Sequence, residues 1–212
     1  MKIALIGASG FVGSAILNEA VSRGHHVTAI VRDTSKVAPH PQITTVAVDA
    51  QDPQALAEVL KGHDRVISAY NPGWSAPDIH DQYLKGASAI VEAAKAAHSW
   101  LLVVGGAGSL EIAPGVQLVD TPDFPAEWKQ GALAARDGLT ALRRETTLDW
   151  RFVSPPVFLE PGEKRGGYRL GGDQVLFSGD KPAGITVGDL ADGVLNEAET
   201  PAHLRQRFTL GY

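Results

Sequence analysis

Lys2-Ile-Ala-Leu-Ile6 runs straight into Gly7-Ala-Ser-Gly-Phe-Val-Gly13, and the residues that follow place Val12, Ile16, Leu17 and Ala20 on one stripe of a stretch that reads as helix over 11–22. Gly24 stands where a left-handed cap would end that helix, and a second β-branched run, His26 to Val31, follows it. Strand, GxxGxxG turn, helix and second strand thus fall in order within about 30 residues, the context that gives a glycine pattern its meaning. The first glycine allows the tight turn and the second lets backbone approach a pyrophosphate. The third lets the helix lie close to the strand, and the anion is held at the helix N-terminus. Gly7, Ser9, Gly10, Phe11, Val12 and Gly13 are therefore the expected phosphate-binding segment of a dinucleotide site.

Outward from this unit, strand-length apolar runs keep alternating with helix-length amphipathic ones. Strands are expected near 44–48, 65–69, 100–104 and 150–153, and helices over 53–60, 78–97, 126–145 and 186–198. Most of the strands are continuous β-branched runs, as suits strands covered by helices on both faces. The pattern predicts an α/β fold, a single Rossmann-like doubly wound parallel sheet. Residues 155–184 differ, being rich in Gly and Pro with short apolar pieces at 168–170 and 175–177. They are expected to form loops and small strands over the C-terminal edge of the sheet, on the substrate side of one domain spanning 1–212.

Composition narrows the partners. With 212 residues there is room for one sizeable core but not for two enzyme-sized domains. The 19 basic and 24 acidic residues leave a net charge of -5, unlike the basic footprint of a nucleic-acid binder. No run approaches the roughly 20 apolar residues that span a bilayer, so no membrane partner is expected. The absence of cysteine removes disulfides and thiolate chemistry, which suits the cytoplasm, and leaves a bound nicotinamide to carry any redox step. The seven histidines form no HExxH and no pair at metal-binding helical spacing, so no metal is expected. No GxSxG is present either, which argues against a hydrolase elbow.

The end of the second strand sets cofactor preference. Arg32 stands there; a guanidinium can pair with a 2′-phosphate, whereas an acidic residue would bind the ribose hydroxyls and repel that phosphate. NADP(H) is therefore expected over NAD(H), with Asp33 the competing residue and Ser35 and Lys36 as further phosphate contacts. Because ligands of such sheets lie beyond the carboxyl ends of the strands, Asp49 and Ala50 should flank adenine. Ala69, Tyr70 and Asn71 should line the ribose and pyrophosphate. Gly105 to Ser109, with Pro155, Pro156 and Val157, should approach the nicotinamide.

GASGFVGSAI, the VRD after the second strand, VVGGAGSL, LDWRFVSPP, GGYRLGGD and RQRFTLGY together resemble the atypical short-chain dehydrogenases described as NADH-flavin reductases. The likeness covers nearly the whole chain and extends more loosely to biliverdin reductase B-like and NmrA-like proteins. It implies an NAD(P)H-binding Rossmann domain that reduces flavins or other conjugated small molecules.

Ordinary short-chain dehydrogenases use TyrxxxLys, whose lysine lowers the phenol pKa for proton exchange. Four residues beyond Tyr70, Tyr83 and Tyr168 stand Trp74, Ala87 and Gly172, and Tyr212 has none, so the motif is absent. Counting back from the LDW segment, its places fall near Ala132 and Arg136. Ser109 occupies the position of the serine that hydrogen-bonds a substrate carbonyl and is the one candidate catalytic side chain. Relatives of the biliverdin reductase B type carry a histidine after the paired prolines, where this chain has Val157. A flavin acceptor tolerates that loss, because hydride transfer needs mainly stacking geometry and water can supply the proton. Tyr70, Trp74 and Phe158 are candidates for the stacking surface. Two readings follow: a reductase for a small-molecule flavin or quinone-like acceptor, or an NmrA-like redox sensor that binds NADP and signals to a protein partner.

Overall fold

The computed structural model describes residues 1–212 and places one eight-stranded sheet at the centre. Its first five strands are β1 (Lys2–Ile6), β2 (His26–Val31), β3 (Ile43–Ala47), β4 (Arg65–Ser68) and β5 (Trp100–Val104). Three later strands, Asp149–Ser154, Gln206–Gly211 and Arg169–Gly171, extend the sheet beyond β5. The order across it is β3, β2, β1, β4, β5, Asp149–Ser154, Gln206–Gly211, Arg169–Gly171. All neighbours are parallel except the last, where Arg169–Gly171 runs antiparallel to Gln206–Gly211. Chain order reverses at β1, which pairs with β2 on one side and β4 on the other.

Five helices cover the sheet: α1 (Phe11–Ser22), α2 (Pro53–Leu60), α3 (Ile79–Ala96), α4 (Ala126–Arg143) and α5 (Val187–Glu199). One face packs Ile16, Leu17 and Ala20 of α1 and Leu190, Val194 and Leu195 of α5 against Ile3, Leu5 and Ile67. The other packs Leu56 and Leu60 of α2, Ile90 and Ala94 of α3 and Leu139 of α4 against Ala4, Ile6, Leu101 and Phe152. Adjacent residues of β1 thus enter opposite cores, as a period of two requires.

Helix starts follow local chemistry. The Asp52 carboxylate accepts from the Gln54 and Ala55 amides, 3.1 and 3.0 Å away, with Pro53 opening the first turn of α2. Thr186 caps α5 by accepting from the Asp189 amide. Every helix and strand expected up to residue 153 is present, with ends displaced by a residue or two.

The segment after Pro155 departs from expectation. The piece at 168–170, expected among loops and small strands laid over the sheet edge, is a small strand, Arg169–Gly171, but it joins the sheet itself as its outermost strand. It is paired there by Gln206–Gly211, a strand not anticipated by apolar patterning because charged Arg207 interrupts its run. The remaining pieces are two-stranded pairs: Phe158–Glu160 beside Gly184–Thr186 and Phe177–Ser178 beside Lys181–Pro182.

The tightest backbone packing against a glycine lies at the first turn. A Cβ on Gly13 would stand 2.0 Å from the Gly7 carbonyl oxygen, and one on Gly7 would stand 2.6 Å from that of Ala69. Gly7 also has φ +78°, a conformation that favours glycine. Gly13→Ala is predicted to cost about 3 kcal/mol, because backbone must move to admit the methyl, and to lower Tm by on the order of 10 °C. Gly172→Ala, with no atom within 4 Å of the added carbon, is the thermal-denaturation control. Equal Tm values for the two variants would refute the packing argument.

Candidate functional site

The predicted site residues converge on one edge of the sheet, since each follows the carboxyl end of a parallel strand. Gly7 to Gly13 follow β1 and Arg32 follows β2. Asp49 and Ala50 lie beyond β3, and Ala69 to Asn71 follow β4. Gly105 and Ser109 come after β5, and Pro155 and Pro156 after Asp149–Ser154. The reversal of strand order at β1 opens a crevice there.

At its floor the N-terminus of α1 has no competing anion. Gly10 caps the helix in extended conformation with no side-chain hydrogen bond, and no acidic residue lies in the first turn. The first backbone N–H groups of a helix have no partner within it, so these are free to bind a phosphate, and Ser9, Gly10 and Phe11 are exposed beside them. The glycines whose Cβ atoms would fill the turn complete a cradle fitted to a dinucleotide pyrophosphate.

Arg32 and Asp33 differ in their neighbours. One oxygen of Asp33 accepts from the Ser35 hydroxyl at 2.6 Å and from its amide at 3.0 Å, capping the short turn Thr34–Lys36. Those Ser35 bonds hold the carboxyl below its usual range. Arg32 is exposed and makes no side-chain hydrogen bond or ion pair, so its guanidinium is the available group at the end of β2. Asp49 caps a turn likewise, accepting from the Gln51 amide at 2.9 Å.

Tyr70 brings its backbone, not its ring, to the crevice. Its amide nitrogen would lie 3.3 Å from a Cβ on Gly7, whereas its ring covers Gly86 of α3, where a Cβ would come within 2.3 Å. The hydroxyl donates to the Gln82 carbonyl at 3.0 Å and accepts from Gln51 Nε2 at 3.4 Å. Burial raises its pKa. Trp74, packed on Gly131 of α4, and Phe158 remain as exposed aromatics.

Ser109 is buried, and its Oγ accepts from Arg207 Nη1 at 3.1 Å; the same nitrogen lies 3.4 Å from Ser154 Oγ. Arg207 in turn pairs with Asp173 through Nε at 2.7 Å. Burial pulls the guanidinium pKa down against the opposing effect of Asp173. This arginine sits directly behind the serine and went unmarked in the sequence; its signal was a charge inside a β-branched and aromatic run near the C-terminal end. Nearby, Ala132 packs beneath Gly108, whose Cβ would lie 2.8 Å from it. Arg136 is tied to Asp120 and Asp137, each at 3.2 Å. The positions of the missing tyrosine and lysine therefore hold a packing methyl and a paired guanidinium.

The segment after Pro155 is anchored by buried Asp189, which accepts from the Arg165 and Gly166 amides at 3.0 and 2.8 Å and from the Tyr212 hydroxyl at 2.5 Å. Burial alone would raise its pKa, and these bonds hold it below the usual range.

A glycine-cradled helix N-terminus at the switch point of a parallel sheet defines a Rossmann dinucleotide-binding protein. The chain belongs to the NAD(P)H-binding family whose model matches residues 7–201, a group of oxidoreductase-like Rossmann proteins. The uncharacterized protein YwnB of Bacillus subtilis (strain 168) is 41% identical over 214 residues, covering 99% of this chain and 98% of its own. A solved structure from Bacteroides thetaiotaomicron, provisionally described as an epimerase, superposes with TM-score 0.93 at 42% identity, over 100% of this chain and 96% of that one. A Streptococcus pneumoniae TIGR4 structure, provisionally described as an NADH-flavin reductase, gives TM-score 0.89 at 38% identity, over 100% and 99%. No helix here is long and apolar enough to cross a membrane.

A histidine-carboxylate pair ties α3 to α4 beside this site. His80 Nε2 lies 3.0 Å from Asp137 and Nδ1 lies 3.2 Å from Asp81. The bond to Asp137, followed by that to Asp81, raises the imidazole above its ordinary 6.5. A raised folded-state pKa contributes stability that is full below the unfolded value and is lost as pH rises through the folded one. Tm is thus predicted to fall by on the order of 2 °C over that window through this pair, which is partly exposed. In His80→Gln the same window should be flatter by that amount; an unchanged pH profile of Tm would show that the pair contributes nothing.

Proposed function

We propose that the chain is an NADPH-preferring reductase that passes hydride to a flavin or quinone-like small molecule in the crevice. The carrying observation is the contrast at the end of β2: Arg32 is unpaired and exposed while Asp33 is engaged by Ser35. An unpaired guanidinium is suited to a 2′-phosphate, and a carboxylate already accepting two bonds competes less for ribose hydroxyls. Resemblance to a structure described as an NADH-flavin reductase supports the acceptor class.

In this reading the α1 amides and Gly7 to Gly13 hold the pyrophosphate, and Arg32 holds the 2′-phosphate. Asp49, Ala50, Ala69 and Asn71 border the nucleoside, and Gly105, Pro155 and Pro156 border the nicotinamide. The cofactor supplies the hydride when bound. Ser109 is the candidate hydroxyl at that end, held by Arg207, and the exposed rings of Trp74 and Phe158 offer apolar faces to a planar acceptor. With Ala132 where a phenol would stand, solvent supplies the proton, which suits a reduced flavin better than an alcohol product.

Arg32→Glu is predicted to weaken NADPH binding about tenfold or more while sparing NADH, measured by fluorescence titration of each. An equal loss for both cofactors would remove Arg32 from the 2′-phosphate. In stopped-flow assays NADPH oxidation should exceed the uncatalysed rate with FMN, FAD or a quinone; failure with all three overturns the acceptor assignment.

The second reading, a non-catalytic NADP-binding redox sensor with a protein partner, is favoured by the burial of Ser109 against Arg207. A sensor must bind oxidised and reduced cofactor with different affinity, since a ligand shifts an equilibrium only by differential binding. Equal affinities by calorimetry would dismiss it.

A further inference from the structure

A second cavity, of about 490 Å³, lies between α3, α4 and the sheet. Its floor is Ser68, Val103 and Phe152, residues within the strands, and the Tyr70 ring over Gly86 forms the wall it shares with the crevice that the cofactor reading uses. Small residues on the facing helices hold it open: Ala87 and Ser88 on α3, Gly138 and Ala141 on α4. The volume falls in the range of small-molecule sites, and most of the lining is apolar.

Two polar groups in this cavity have no use inside the protein. Tyr83 is 5% exposed and lines the cavity, and its hydroxyl, which makes no hydrogen bond within the protein, opens on that space and is available to donate to a ligand. Burial pushes this phenol up to about 12, so it remains a donor. At the mouth the charges are unequally matched. Asp137 is paired with His80 and Arg136, and Glu145 with Lys95 at 2.7 Å, whereas exposed Arg144 has no ion-pair partner. The unmatched charge at the opening is therefore positive.

We propose that this cavity binds a small amphipathic carboxylic acid. Its alkyl or aromatic body lies against Ala87, Val103 and Phe152, its carboxylate meets Arg144, and a second oxygen along the body accepts from Tyr83. Nothing in the assignment depends on the hydride acceptor or on Arg32. Both apolar burial and an unpaired cation are required, so neither a neutral alkane nor a hydrophilic anion fits.

Isothermal titration with decanoate, 1-decanol and 9-oxodecanoate tests it on the full chain. Decanoate should bind saturably at one site without being displaced by NADPH, and about tenfold more tightly than decanol. Arg144→Ala, an exposed substitution, should remove that tenfold preference. The oxo-acid should exceed decanoate in affinity, and Tyr83→Phe should abolish the gain. Ala87→Trp should block all three while NADPH binding persists; should that variant fail to fold, the Arg144→Ala comparison still decides. The proposal is overturned if none of the probes binds saturably, if NADPH displaces them, or if Arg144→Ala leaves the decanoate to decanol ratio unchanged.

Discussion

The approach of Gly13 to the Gly7 carbonyl sets the geometry from which the rest of the molecule follows. A helix can begin that close to a strand only where neither position carries a side chain, and the Ala69 carbonyl closes on the same turn from the other side. β1, α1 and the end of β4 are thereby locked together at a single point. With β2 on the opposite flank of β1, the strands leave this point in both directions, and the crevice is the space that their diverging loops cannot fill.

The two faces of the sheet divide the remaining work. On the α1 and α5 side, the helices are joined to each other and to the segment after Pro155 by charged contacts: Arg23 bridges Glu19, Asp192 and Glu199, and Lys164 reaches Glu19 and Asp192. On the other side α3 and α4 meet through small residues and the His80 pair, and the space between them stays open. Tyr70 belongs to both regions, with its backbone at the turn and its ring over Gly86.

Much of this was legible from the order of residues alone, because the opening βα unit concentrates its signals: an apolar strand, glycines at fixed spacing and a stripe of four apolar residues. The alternation up to residue 153 was readable for the same reason, each strand being a local apolar run. What escaped were features determined by distant partners. Gln206–Gly211 carries Arg207 into the interior, an assignment that makes sense only once Asp173, Ser109 and Ser154 are seen around the guanidinium. The apolar piece at 168–170 was visible as a short segment, but its place in the main sheet was not, because Arg169–Gly171 joins only by pairing with the edge that Gln206–Gly211 offers. The direction of the Tyr70 ring depends on a glycine sixteen positions away on α3, and the engagement of Asp33 depends on the Ser35 hydroxyl.

The four tryptophans divide along the same lines as the architecture. Trp100 and Trp150 are 8% and 1% exposed at the starts of their strands, inside the core, whereas Trp74 and Trp128 are 62% and 53% exposed near the carboxyl edge of the sheet. Indoles in apolar surroundings emit to the blue of those in water, and reduced nicotinamide absorbs where indole emits. The molecule therefore carries its own pair of optical reporters: a blue component that follows the integrity of the sheet, and a red one that follows its solvent-facing carboxyl edge, both open to quenching by energy transfer to a bound reduced dinucleotide.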